Sequence, residues 1–177
     1  MDRNWDGDKF DPEDLKHTVQ KVHLCAYINE HNEGDGEEPP TNHWATFLEI
    51  SPTHSVMMDM APGYGSDGLR GKIELSTERY KYPDDTIHVV SLEPAGKPTV
   101  QDIVGLINDN GLQKYTFTPE WEGCRFWVFT VVSNLEKKGS VPPGSAEATW
   151  KAVSYYYRNP SGHEPRIVRQ GTFRSSE

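Results

Sequence analysis

Two hydrophobic rhythms divide this chain, and their order sets the fold class. Between residues 18 and 92 the apolar side chains recur at alternate positions, in short runs broken by Gly, Pro and Asn. Between residues 99 and 135 they recur three and four apart. The first period distributes side chains over the two faces of a strand, and the second marks one stripe of a helix. Strands grouped first and helices afterwards predict an α+β domain: a mostly antiparallel sheet with packed helices.

Residues 18–27 place Val22, Leu24 and Ala26 on one face of a strand and Cys25 on the other. Residues 43–50 and 55–61 read as a hairpin turned by Ser51-Pro52-Thr53-His54. A flexible link at 63–68 leads to short strands at 71–76 and 86–92. Thr99 is the expected N-cap of a helix with the stripe Val100, Ile103, Val104 and Ile107, ended by Asn110-Gly111. Residues 115–118 are extended, and Thr118-Pro119-Glu120 leads into a second helix with Pro119 in its first turn. Ala148, Ala152, Tyr155 and Tyr156 stand at roughly helical spacing, although Tyr155-Tyr156-Tyr157 fits a strand as well. The polar ends, 1–17 and 159–177, are expected to be loose, leaving residues 18–158 as one domain.

The 27 acidic and 18 basic residues give a formal charge of −9, without a basic cluster to offset it. That balance disfavours nonspecific nucleic-acid binding and adhesion to anionic membranes. No stretch approaches the roughly 20 apolar residues of a spanning helix. The polar start, Met1-Asp2-Arg3-Asn4-Trp5-Asp6, is unlike a secretory signal, so the chain reads as soluble and cytoplasmic. Cys25 and Cys124 are then free thiols, and no ligand grouping calls for a metal or another cofactor. His23 and His88 read as strand residues. The acidic stretch 33–38 lacks the pattern of a calcium loop and reads as a solvated loop.

The chemistry concentrates at Gly123-Cys124-Arg125-Phe126-Trp127-Val128. Its apolar positions continue through Phe129, Val131, Val132 and Leu135 at helical spacing, which puts Cys124 in the first turn. The positive end of a helix dipole favours thiolate over thiol there. Upstream, residues 42–50 form a strand that begins with His43. A thiol at a helix start and an imidazole at a strand edge are the parts of a nucleophile–base pair. The bland alternative is a buried structural cysteine, a residue type that is often interior. Asp59, set among Met57, Met58 and Met60, is an odd place for a charge and suggests a partner. His54 competes with it for the orienting role, although a turn residue suits its position. Trp44, Trp121 and Arg125 flank these positions and are the candidate substrate contacts; for the tryptophans a core role competes.

The segments His43-Trp44-Ala45-Thr46-Phe47-Leu48, Asp59-Met60-Ala61-Pro62, and Tyr115-Thr116-Phe117-Thr118 running into Cys124-Arg125-Phe126-Trp127-Val128 resemble the circularly permuted NlpC/P60 group. That group includes lecithin retinol acyltransferase and the H-rev107-like phospholipase/acyltransferases. The resemblance covers roughly residues 42–135 and implies a permuted papain-like core. It also implies Cys124 as nucleophile, His43 as general base and Asp59 as the group that orients the imidazole. Its relatives usually carry histidine where Asp59 stands, asparagine at Gly123 and Glu-His at Arg125-Phe126. The lipid-processing members also carry a hydrophobic anchor that this sequence lacks. The implied activity is hydrolysis or acyl transfer on a small amide, ester or thioester through an acyl-enzyme, without a cofactor. Two alternatives stand beside it: a binding or scaffold module that has lost catalysis, and a secondary-metabolite enzyme using His43 and Asp59 as acid and base. Neither the substrate nor the oligomeric state is legible.

Overall fold

A computed structural model describes residues 1–30, 32–34 and 36–175. Ten strands occur among them: β1 (Trp5–Lys9), β2 (Lys21–Ile28), β3 (Asn42–Ser51), β4 (His54–Tyr64), β5 (Arg70–Glu78), β6 (His88–Leu92), β7 (Tyr115–Thr116), β8 (Tyr155–Tyr157), β9 (His163–Pro165) and β10 (Thr172–Phe173). The helices are α1 (Val100–Asp109), α2 (Cys124–Lys138) and α3 (Ser145–Val153), with a 3-10 turn at Pro12–Lys16. The main sheet runs β10-β7-β5-β4-β3-β2-β6 and its ladders are antiparallel, except that β1 lies parallel on part of the outer edge of β5. The α+β reading with a mostly antiparallel sheet therefore holds.

Alternation explains the two faces. Val22, Leu24, Ala26, Trp44, Leu48, Met58, Met60, Ile73 and Leu75 form one core with the apolar stripes of α1 and α2. Cys25, Ala45 and Phe47 form a smaller cluster on the opposite face, covered by Tyr27, Met57, Tyr82 and Val89. Helix α1 has the expected Thr99 cap, completed by Asp102 as a capping box. Helix α2 buries Cys124, Trp127, Val128, Val131, Val132 and Leu135.

Four expectations change. The N-terminus is not loose: Trp5 and Phe10 are buried, and Trp5 donates its indole N–H to Asn108 Oδ1 at 2.8 Å. Nor is the segment after residue 158 a loose tail. Strands β9 and β10 lie in it, and Arg174 donates to the Tyr115 carbonyl and to Asn4 Oδ1, tying both chain ends to the sheet. Helix α3 stops at Val153, so Tyr155–Tyr157 is strand β8, held edge-on by the Asn42 side chain. Pro119 lies in a turn closed by Trp121 N–H on Thr118 O, outside α2, which begins after Gly123.

Candidate active site

The site begins where β3 and β4 part. Their ladder runs from Ser51↔His54 to Thr46↔Met58 and stops, although β4 continues alongside β5 through Asp59↔Glu74 and Met60↔Ile73. The end of β3 thus has backbone groups without a partner on β4, and Cys124 occupies that place. Its thiol faces the Asn42 carbonyl at the long distance of 4.0 Å, and the Trp44 backbone N–H hydrogen-bonds its sulfur.

Cys124 is the first residue of α2, and the backbone there requires glycine before it. Gly123 has φ +144°, and a Cβ at that position would stand 2.8 Å from the Tyr115 hydroxyl. That hydroxyl donates to the Gly123 carbonyl at 2.7 Å and accepts the Gly171 N–H at 2.9 Å. No side chain caps α2, so its first-turn N–H groups are not taken by a cap.

His43 alternates with the core residue Trp44 and so leaves β3 on the other face of the sheet. Its Nε2–H donates to Asp59 Oδ1 at 2.6 Å, with both side chains less than one-fifth exposed. A carboxylate only accepts, which fixes the tautomer and leaves Nδ1 for the thiol. Imidazole and thiol are coupled through a hydrogen bond and through charge. Burial opposes the imidazolium, but Asp59 and the Cys124 thiolate outweigh it and hold the His43 pKa well above its ordinary value. Burial likewise opposes the thiolate. It is outweighed by His43, then by the Trp44 N–H and the Arg125 charge, so the Cys124 pKa lies below that of an ordinary thiol. Cys25 behaves oppositely: burial pushes it up to about 12. Both cysteines are free.

A cleft of about 680 Å³ opens over the pair, lined by Tyr27, Glu30, His43, Asp59 and Asp85 among others, with no Lys or Arg among its described walls. Tyr27 packs edge-on against His43, with ring centroids 5.4 Å apart. Cys124 itself is buried, at 7% exposure, and is not part of the cleft lining.

His43, Asp59 and Cys124 therefore come together as the sequence suggests, and the rival His54 does not join them: its Nδ1 bonds Thr53 in the hairpin turn. The three proposed substrate contacts lie elsewhere. Trp44 is a core residue at 1% exposure, edge-on to the stacked rings of His88 and Tyr157. Trp121 packs over Gly68, away from the cleft. Arg125 turns inward at 3% exposure and donates to the carbonyls of Val153 and Ile167 and to Glu122. Its contribution to the site is charge, not contact with a substrate. Sequence reasoning missed Tyr27, Glu30 and Asp85. Tyr27 shares the face of Cys25 by alternation, but nothing in the sequence reveals that the loops bring Glu30 and Asp85 to the same cleft.

No helix among the described residues is long and apolar enough to cross a membrane. A family model described as a domain of unknown function, DUF7770, matches residues 22–174. No curated protein and no solved structure matches the chain.

Proposed function

The chain belongs to the DUF7770 family, and we propose that it is a cysteine-dependent hydrolase or acyltransferase with a permuted papain-like core of the NlpC/P60 kind. The observation that carries this reading is the His43–Asp59 contact at 2.6 Å beside a thiol that begins a helix. His43 Nδ1 takes the Cys124 proton, and the sulfur attacks the carbonyl carbon of a small amide, ester or thioester. The first-turn N–H groups of α2 stabilise the oxyanion; losing one such donor typically costs about 3 kcal/mol of barrier. As the carbonyl re-forms, the bond to the leaving group breaks and His43 returns the proton to that group. Water or an acceptor nucleophile, deprotonated in turn by His43, then releases the acyl group from sulfur. Without Lys or Arg among its described residues, the wall gives an anionic substrate no counter-charge, so neutral or cationic substrates fit it better. A reducing, cytoplasmic setting would keep both cysteines in the required thiol form.

The test is the pH dependence of Cys124 alkylation, followed by intact mass in wild type, Cys25→Ser, His43→Ala and Asp59→Asn. Rapid labelling near pH 6 that is lost in His43→Ala supports the reading. Labelling only above about pH 8, the behaviour of an ordinary thiol, overturns it.

A further inference from the structure

A second nucleophile–base–carboxylate constellation lies on the same strands, apart from Cys124. On the face of the sheet opposite the helices, His23 of β2 stands across from Ser91 of β6 and diagonal to Glu49 of β3. His23 Nε2 is 2.9 Å from Glu49 Oε1, and His23 Nδ1 is 2.7 Å from Ser91 Oγ. A carboxylate only accepts, so Nε2 carries a proton toward Glu49, and in the neutral imidazole Nδ1 then accepts from the Ser91 hydroxyl. The polarity repeats that of His43, whose Nε2 also meets a carboxylate on a neighbouring strand while Nδ1 is left for the nucleophile.

Exposure separates the three residues. His23 and Glu49 are 4% and 6% exposed, whereas Ser91 lies open on the last strand of the sheet. A dry base–carboxylate pair keeps its direction and strength, while the hydroxyl that it polarises meets solvent. The Tyr82 ring packs on the imidazole with centroids 5.0 Å apart. A cleft of about 670 Å³, bounded by Pro52, Tyr82 and Val89, opens farther along this face; Ser91, His23 and Glu49 are not part of its lining, and it comes nearest to them at Val89, the neighbour of Ser91 on the same side of β6. A purely structural bond would satisfy His23 equally well with a buried hydroxyl; here the acceptor nitrogen is spent on an accessible one.

We infer that Ser91, activated by His23 and oriented through Glu49, is a second nucleophile of this protein, directed at activated acyl and organophosphorus electrophiles. With an alkyl fluorophosphonate as probe, the Ser91 Oγ–phosphorus bond forms, the phosphorus–fluorine bond breaks and fluoride leaves. The hydroxyl proton passes to His23 Nδ1.

The experiment is treatment of the full chain with a fluorophosphonate, followed by peptide mapping of adducts over time in wild type, His23→Gln and Glu49→Gln. The fold of each variant is checked by circular dichroism. The expected result is an adduct on Ser91 whose rate falls in His23→Gln by about 100-fold or more, the usual contribution of a general base. Glu49→Gln reduces the rate less, because an amide still holds the ring. If the variants fail to fold, wild type decides: faster adduct formation on Ser91 in the native chain than in the urea-unfolded chain is expected, and equal or slower formation overturns the inference. Absence of a Ser91 adduct in wild type overturns the inference, as does a Ser91 rate that is unchanged in folded His23→Gln.

Discussion

His43 and Asp59 hold a 2.6 Å hydrogen bond across two strands whose own ladder has already ended at Thr46↔Met58. Parting β3 from β4 lets a helix-borne thiol reach the edge of β3, and the side-chain bond spans the gap beside it. The bond thus orients the His43 imidazole at the place where regular backbone pairing stops.

The first consequence is selective thiol reactivity. An ordinary thiol is only about 1% ionised at pH 6.5. With its pKa lowered by His43, Cys124 should react with iodoacetamide up to about 100-fold faster at that pH, less the reduced nucleophilicity of a more acidic thiol. Cys25, pushed up to about 12 and fully buried, should remain unlabelled in the native protein. Intact mass with peptide mapping distinguishes the two; equal labelling would contradict both assignments.

The His43 shift also has a sign in stability. Its folded pKa lies above the unfolded value, so the stabilisation is complete below about pH 6.5 and fades as pH rises through the folded pKa. Cys124, with a lowered pKa, contributes in the opposite sense: its stabilisation is complete above the ordinary thiol pKa and is lost as pH falls through the folded one. Replacing Asp59 by Asn should therefore cost about 1.5–3 kcal/mol near pH 6, the range of a hydrogen bond to a charged group, and progressively less at alkaline pH. Urea midpoints at pH 6, 8 and 9.5 measure this. A penalty that does not vary with pH would show that the pair carries no net charge interaction.

Gly123 sets the position of the Cys124 thiol. Gly123→Ala adds a Cβ 2.8 Å from the Tyr115 hydroxyl, at a φ of +144° that side chains rarely adopt. A loss of about 1–3 kcal/mol follows from the backbone alone, together with slower Cys124 alkylation. Adding Tyr115→Phe should recover part of the reactivity by removing the clashing oxygen. No recovery would place the damage in the backbone and not in the contact.

The legible parts of this fold are those written in local periodicity. Val22, Leu24 and Ala26 alternate, and Val100, Ile103, Val104 and Ile107 form a stripe, because each pattern answers to one face of one element. Asp59 was legible for a related reason: a charge among three methionines on a strand needs a partner. The ends were misread because what orders them is distant in sequence. Trp5 is held by Asn108, and Arg174 by Tyr115 and Asn4. Arg125 was misread because a cation beside a candidate nucleophile suggests a substrate contact, whereas its acceptors, Val153 O and Ile167 O, lie on segments whose approach no local pattern announces. The His23–Ser91 contact was hidden for the same reason: cross-strand register emerges only once β6 is seen to pair with β2.

Arg125 gives a prediction that separates packing from electrostatics. The guanidinium is 3% exposed and serves two carbonyls and Glu122, which is also held by Arg169 at 2.7 Å. Arg125→Met keeps much of the volume but leaves the buried Val153 carbonyl and the half-buried Ile167 carbonyl without this donor, so a loss of about 3 kcal/mol is expected, at the low end for a broken buried pair because Arg169 still neutralises Glu122. The same change removes a positive charge that favours the Cys124 thiolate, so the pH at which alkylation sets in should rise. Chemical denaturation measures the first effect, and the alkylation profile of the folded variant measures the second. Destabilisation with an unchanged profile would show that Arg125 supports the fold alone; a shifted profile would show that its charge also reaches the sulfur.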